Sequence, residues 1–551
     1  MKSVSKIVLL AFSFLALLSA CETTPPAAIS VALSPDTADV IVTQSVQLMA
    51  TVHNSTNSVV TWSLSGAGCS GATCGTISST GLYTAPASVP NPAIVTVKAT
   101  SVADTSKSAS ATITIHTDVN LWTWVSGSNT YLQKGIYGTK GTAASSNIPG
   151  ARNSAVSWLD SSGKLWLFGG DGYDSTGTNG ALNDLWKYDP TTNEWTWVSG
   201  SNTVDQTGIY GTKGTAAPSN LPGARGYAVS WIDSSGNLWL FGGAGFDSAG
   251  NRDDLNDLWK YDPTTDEWTW VSGSNTCLQK GIYGTKGTAT SSNIPGTRNS
   301  AVSWIDSSGK LWLFGGSGFD WIPFRGFLND LWKYDPITNE WTWVSGNNIV
   351  DQAGSYGTQG IAASSNIPGA RRWPISWIDS SGNLWLFGGQ EWLAGYINDL
   401  WKYDPTANEW TWVSGSSTGY QAGIYGTKGT AASSNIPGAR VSAVSWLDSS
   451  SKLWLFGGSG HDSAADFGIL NDLWKYDPIT NEWTWVSGSN TRNQAGIPGT
   501  KGTAASSNIP GARNVLVSWL DSSGKLWLFG GDGYDSAGNQ GLLNDLWQYI
   551  R

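Results

Sequence analysis

The 551-residue sequence predicts an all-β chain, with a six-bladed β-propeller over residues 121–551 and a β-sandwich before it over 29–116. Three observations carry this. Lys164-Leu-Trp-Leu-Phe-Gly-Gly170 returns nearly letter for letter at 237–243, 310–316, 383–389, 452–458 and 525–531. Its Phe stands at 168, 241, 314, 387, 456 and 529, a step of 73 residues four times and 69 once, and such a fixed step marks a repeat array. Trp-Thr-Trp also occurs six times, but out of phase. Trp122–Trp124 precedes every other strand of the repeat, while the last unit stops at Asp545-Leu-Trp-Gln-Tyr549 without a copy. The orphan at the front fits the vacancy at the back. Leu121–Val125 is therefore expected to supply the outer strand of the last blade, leaving no open sheet edge. Finally, residues 29–116 alternate polar and apolar residues in short runs between turns, without the repeat.

Each unit divides into four strands, a to d. In the first, strand a is Ala155–Leu159, followed by the tight turn Asp160–Gly163. Strand b, Lys164–Phe168, is a run apolar on both faces, which Gly169-Gly170 is expected to end. Strand c, Asp184–Tyr188, leads through Asp189-Pro190 into strand d, Glu194–Val198, with Trp195 and Trp197 on one face. The double Gly after an apolar strand, then Tyr188, then Trp195, resembles the kelch repeat, and all six units over 121–551 show it. They exceed the roughly 50 residues of that repeat mainly between strands d and a, at Gly127–Arg152.

In the sandwich region the expected strands are Ile29–Leu33, Ser45–Val52, Val59–Leu64, Ile94–Thr100 and Ser108–Ile115, with Trp62 as a core ring. Gly75-Thr-Ile-Ser-Ser-Thr-Gly-Leu-Tyr-Thr-Ala-Pro86 resembles bacterial Ig-like domains, which stand as spacers on surface proteins. Cys69 and Cys74 are expected to form a local disulfide, in keeping with an exported chain. Cys277 reads as a free thiol.

The front of the chain directs it out of the cytoplasm. Lys2 and Lys6 precede the apolar run Ile7–Leu18, which is too short to span a membrane. Leu18-Ser19-Ala20-Cys21 resembles the lipobox of bacterial lipoproteins. That resemblance implies a signal peptide over 1–20, lipid on Cys21, membrane attachment through that lipid, and a tether over 21–28. Glu22, in place of the Asp that retains such proteins at an inner membrane, points to the outer membrane and the cell surface.

Composition narrows the function. The net charge is −10 without a basic run, which argues against nucleic acid as a partner. Only three His occur, at 53, 116 and 461, so the copper site of the radical oxidases among kelch propellers cannot be assembled from this sequence. No catalytic residue, cofactor or metal site stands out, and a monomer is expected. Asp171, Asp174, Asp247 and Asp535 lie in Gly/Ser/Asn loops that could hold Ca²⁺ through oxygens, but match no strong loop signature. Asp160, Glu194 and their copies recur at every tight turn, where capping backbone groups is their expected work. Arg152, Arg225, Arg298, Arg371, Arg440 and Arg513 open each unit's strand a, either lining the channel mouth or, the preferred reading, tying a loop to its blade.

In an up-and-down blade the d–a and b–c loops share one face. There the units differ most, and blades three to five bring together the candidate ligand-binding residues: Trp321, Phe324, Arg325, Arg372, Trp373, Glu391, Trp392, Tyr396 and His461. Exposed aromatics with Arg suit a binding surface. The expected function is binding or adhesion toward a protein or carbohydrate; the alternative is a glycan-active enzyme using carboxylates on the same face.

Overall fold

The computed structural model describes residues 28–116, 121–521 and 523–550. The expected signal peptide, Cys21 and all but the end of the expected tether lie outside the described residues. The chain divides into two compact units at 119/120.

In the first unit, the strands Val60–Ser65, Ile94–Ser101 and Ser108–His116 form an antiparallel sheet, and Thr37–Ile41 joins its edge parallel to Ser108–His116. Two smaller sheets complete it, Ser30–Ser34 with Met49–His53, and Ser45–Gln47 with Leu82–Thr84 and Thr76–Ile77. Alternation turns Val95, Val97, Ile113 and Ile115 inward around Leu48 and Tyr83, and Trp62 packs half-buried against them. Cys69 and Cys74 are joined by a disulfide, and the Tyr83 hydroxyl donates to the Cys74 carbonyl at 2.7 Å.

The second unit is a ring of six four-stranded sheets. In blade one the strands are Val156–Leu159 (a), Leu165–Tyr173 (b), Asn179–Asp189 (c) and Glu194–Ser199 (d), paired in that order. Blade six takes its outer strand from the front of the unit: Leu121–Ser126 pairs antiparallel with Leu546–Ile550, setting Trp122 opposite Tyr549. Between each pair of neighbouring blades lies one apolar cluster. The one between blades one and two joins Trp158, Trp166 and Phe168 to Leu238, Trp259 and Trp268. Six such clusters run around the ring, and those flanking blade six are built the same way.

The double glycine does not end strand b. Gly169 (φ 65°) and Gly170 (φ 95°) form a bulge, after which strand b resumes and pairs with strand c out to Tyr173 opposite Asn179. Such φ values suit glycine, and the extra residue re-aims the strand without stopping it. Most of the expected b–c loop is thus a β-hairpin standing above the blade.

The long d–a connection serves the blade it enters. Ala216–Ala217 pairs with Thr269 and Trp268 on the outer strand of blade two, and Ala144 bridges Trp195 likewise. In the last unit Ala505 bridges Trp122. The excess over a kelch-length repeat therefore covers the outer edge of each sheet, where unpaired backbone groups would invite association. At the tight turns, Asp160 Oδ1 accepts the Ser162 and Lys164 N–H groups, and Oδ2 accepts Trp166 Nε1, as capping requires. Removing Leu121–Ser126 should strip Trp122 from its cluster and expose two sheet edges. The truncated chain is expected to unfold at a lower temperature and to associate, measured by calorimetry and size-exclusion chromatography.

Candidate functional site

The six repeated arginines are buried in the blades. Arg152 grips Asp184 with both Nη atoms at 2.7 and 2.8 Å, and donates to the carbonyls of Gly169 and Gly150. Asp184 also accepts Trp186 Nε1 at 2.7 Å and the Tyr137 hydroxyl at 2.6 Å. Burial opposes the Arg152 charge, but Asp184 outweighs it and holds the guanidinium above its ordinary value. Burial, then the Asp184 charge, drives the Tyr137 phenol upward. The other arginines form the same ion pair with Asp257, Asp330, Asp399, Asp472 and Asp545. These residues tie the d–a loop and the bulge to strand c, leaving no arginine of the set at the channel mouth. In the last unit Pro498 stands where the others have the tyrosine. Replacing Arg298 by Met should destabilise the chain by roughly 3–5 kcal/mol, because Asp330 is left buried without its partner, and denaturant unfolding measures it.

Two residues past each arginine, the backbone does something the repeat pattern does not announce. Ser154, Tyr227, Ser300, Trp373, Ser442 and Val515 all adopt φ between 50° and 58°. Each N–H donates to the carbonyl of the equivalent residue one blade back: Tyr227 to Ser154 at 2.9 Å, Ser300 to Tyr227 at 3.0 Å, Trp373 to Ser300 at 2.9 Å, Ser442 to Trp373 at 3.2 Å and Val515 to Ser442 at 3.0 Å. Ser154 completes the circle by donating to Val515 at 3.0 Å. This closed ring of six peptide hydrogen bonds floors the mouth of the channel on the hairpin face. Beneath it the inner strands present serines; Ser230 Oγ reaches the Ser157 carbonyl and Ser445 Oγ the Ser376 carbonyl.

The next layer outward is set by register pairs: Asn153 with Asp171, Gly226 with Ala244, Asn299 with Ser317, Arg372 with Gln390, Val441 with Ser459 and Asn514 with Asp532. Here the blades differ. The rings of Tyr227 and Trp373, two blades apart, lie 6.2 Å from each other. The Arg372 guanidinium sits 3.8 Å over Trp373 and 5.0 Å over Phe327, with Nε donating to Gln390 at 3.0 Å. Trp373 Nε1 is buried without a hydrogen-bond partner. Burial raises the Tyr227 phenol; Asp171 and Asp532 push the same way, while Ser154 and Arg372 oppose them. Burial likewise holds the carboxyls of Asp171, Asp254 and Asp532 above the usual carboxylate range.

The nine sequence candidates fall into three places. Arg372 and Trp373 stand at the axial mouth. Trp321, Phe324 and Trp392 sit at hairpin tips of blades three and four, 48%, 63% and 57% exposed, beside Ile322 and Leu393. Arg325 is held there by Asp253 and Asp254 of blade two at 3.3 and 3.0 Å. Tyr396 stacks on Phe467 at 4.8 Å; both lie against His461, and Tyr420 packs on Tyr396 and His461.

Two of the nine are not on the surface. His461 is 7% exposed inside that aromatic group. Glu391 is 5% exposed, 3.8 Å from Arg371, at a position where the other five blades have Gly. Its Oε1 lies against Gly354 and Gly369, where the counterparts Gly135, Gly208 and Gly281 donate their N–H groups to hairpin-tip carbonyls. Glu391 thus replaces a carbonyl that the shorter hairpin of blade four lacks. Tyr227, Asp254 and Asp532 were missed; comparing the units position by position after the repeated arginine and double glycine would have found Tyr227 and Asp532.

The loop aspartates hold the hairpin tips. Asp174 Oδ1 accepts the Thr176 and Thr178 N–H groups and Oδ2 that of Val204, and Asp247 and Asp535 repeat the Oδ1 pattern. Asp171 instead pairs with Arg252 at 2.8 Å. Cys277 is a free, buried thiol, pushed up to about 11 by burial and then by Asp247.

A carboxyl whose folded value is raised stabilises the fold below its ordinary value and loses that contribution as pH rises through the raised one. Ionised Asp532 is therefore a cost at neutral pH. Asp532→Asn should melt higher than the parent at pH 7, with the difference vanishing near pH 3, read by thermal melts across that range.

A family model described as the KLHDC2/KLHL20/DRC7 Kelch-repeats domain matches residues 139–353. Among solved structures, "Structure of YjhT" is similar at 16% identity, over 72% of this chain and 95% of that chain, with a TM-score of 0.43. No curated protein matches. Residues 139–353 are thus similar to a kelch-repeat domain, and the remaining blades of the propeller repeat the same double Gly, Tyr and Trp.

Proposed function

We propose that this chain is a cell-envelope lipoprotein displaying a kelch propeller for binding or adhesion through the hairpin face. The observation that carries the reading is the exposed apolar group at neighbouring hairpin tips: Trp321, Ile322, Phe324, Trp392 and Leu393. Large apolar groups left in water at adjacent loop tips mark interaction sites more often than chance exposure does. Beside them, the Tyr227–Trp373 pair and the stacked Arg372 add a half-buried aromatic and cationic anchor, the residue types that dominate binding energy. Binding is also the usual work of kelch propellers. The lipobox-like Leu18–Cys21 supports lipid attachment at Cys21 and outer-membrane placement, with the Ig-like region at 29–116 as the spacer. A protein or carbohydrate ligand fits this face, and the chain acts as a monomer.

A second reading has its own observation. Asp171 and Asp532 are both held above the usual carboxylate range near the Tyr227 phenol, as acid groups of a glycan-active enzyme would be. Turnover of a glycan by the parent but not by Asp171→Asn and Asp532→Asn would favour it.

The binding reading is tested by a protein and glycan screen followed by titration of the hit. Trp392→Ala and Trp373→Ala should each weaken binding by roughly 30-fold or more, the scale of a hot-spot residue. Ile337→Ala, 90% exposed at a turn on the opposite face, should leave it unchanged. Equal affinity in all three variants would remove this face as the site. In cell fractionation, Cys21→Ala should release the chain from the membrane fraction.

A further inference from the structure

The outer rim has a surface that the hairpin-face reading does not use. Where the outer strands of blades one and five turn into the next unit's long loop, a groove opens between neighbouring blades. It measures about 380 Å³ between blades one and two and about 270 Å³ between blades five and six. Lys140, Trp197, Ser201, Asn202, Gln206 and Ile209 line the first, and Lys428, Trp485, Ser489, Asn490, Gln494 and Ile497 the second, in matching positions. The sequence places the same six residue types between blades six and one, including Lys501, Asn129 and Ile136, and between two and three, including Lys213, Asn275 and Ile282.

Lys140 Nζ donates to the Gly200 carbonyl at 2.8 Å and lies 4.4 Å over Trp197. Lys213, Lys428 and Lys501 repeat both contacts. An ammonium has three donors, so two N–H groups remain at each lysine. No carboxylate lines either groove. Many acidic side chains are engaged elsewhere, at the opposite turns and in the hairpin tips; Asp205, beside Gln206, accepts the Ala181 N–H, and Asp266 acts on Lys140 by its charge. Among the described residues the Asn202 side-chain amide has no hydrogen-bond partner, while its main-chain carbonyl accepts from Ser175. Ile209 and Ile497 are 51% and 53% exposed, an apolar wall beside these polar groups. The fold has no use for an isoleucine there. Blade four confirms this: Ser355 replaces the isoleucine, Gln359 the lysine and Ser417 the asparagine, in a blade that keeps the same strand pairing. Recent duplication would keep all surface positions alike, yet the hairpin tips and the mouth have diverged while four grooves have not.

We propose that these four rim grooves are equivalent subsites for an anionic polysaccharide whose repeating unit carries a carboxylate and an acetamido group. The ammonium takes the carboxylate, the free asparagine amide pairs with the acetamido amide, and the isoleucine takes its methyl. Identical subsites around a ring suit a ligand that presents the same unit many times, since linked sites gain avidity without new contacts.

Hyaluronan is the probe, because its disaccharide joins one carboxylate to one acetamido group. High-mass hyaluronan should bind the full chain at least ~10²-fold more tightly, per chain, than a hyaluronan hexasaccharide. Chitohexaose, which lacks the carboxylate, should bind more weakly than that hexasaccharide. Replacing Lys140, Lys213, Lys428 and Lys501 together by Gln, the residue blade four uses, should abolish polymer binding and leave the melting temperature near that of the parent. Gln359→Lys with Ser417→Asn should add a subsite and raise the stoichiometry of hexasaccharide. Absence of binding to the parent, unchanged binding in the fourfold variant, or chitohexaose binding as tightly as the acidic hexasaccharide would each overturn the proposal. So would a fourfold variant that loses binding only along with its fold while the Gln359→Lys, Ser417→Asn chain gains no subsite. Loss of rim binding with Trp392→Ala still active, or the reverse, separates this surface from the hairpin face.

Discussion

Closure of the ring is the constraint everything else answers to. A four-stranded sheet has two edges and two faces to hide, and a blade alone hides neither face. In this chain each face is buried against a neighbour, so blade one needs blade six as much as blade two. The chain meets that need by lending its first strand to its last sheet, with Trp122 entering the cluster of Phe456, Trp547 and Tyr549. The outer edges are then covered by the long d–a connections, whose length is otherwise hard to justify.

Within that ring the buried Arg–Asp pairs set geometry more than stability. Taking two charges out of water costs several kcal/mol, and an apolar pair could fill the space at no greater cost. An apolar pair could not fix three things at once. Arg152 holds the loop carbonyl of Gly150, the bulge carbonyl of Gly169 and the strand c carboxylate of Asp184. The bulge aims the hairpin, so the arginine indirectly aims the hairpin face.

Much of this was legible in the sequence because it repeats. The six blades, the borrowed strand and the capping role of Asp160 follow from period and local turn chemistry. The double glycine was misread because positive φ serves a bulge as readily as a strand end, and only the partner strand decides between them. Glu391 and His461 were placed on the surface because loop residues with function-bearing side chains are normally exposed. In fact Glu391 fills the gap left by a shortened hairpin, and His461 is enclosed by Tyr396, Tyr420 and Phe467. Tyr227 escaped notice because hydrogen bonding between blades leaves no trace in a single unit.

The floor of the mouth explains why variation collects where it does. Its hydrogen bonds are all main chain, so the ring closes whichever side chain sits at each step. Even Val515 is held at φ 50°, a conformation costly for a β-branched residue. The fold fixes six positions accurately and asks nothing of their side chains, which run Ser, Tyr, Ser, Trp, Ser, Val. A rigid floor with unconstrained side chains is the arrangement in which a site can change its ligand without risking the scaffold. The rim is the opposite case. There the lysine, asparagine and isoleucine can be exchanged without loss of the blade, as Gln359, Ser417 and Ser355 show, but four grooves keep them the same. Divergence at the centre and uniformity at the edge cannot both come from drift in one set of repeats. The two proposed ligands, one at the hairpin face and one repeated around the rim, would place different demands on the two surfaces and so account for both.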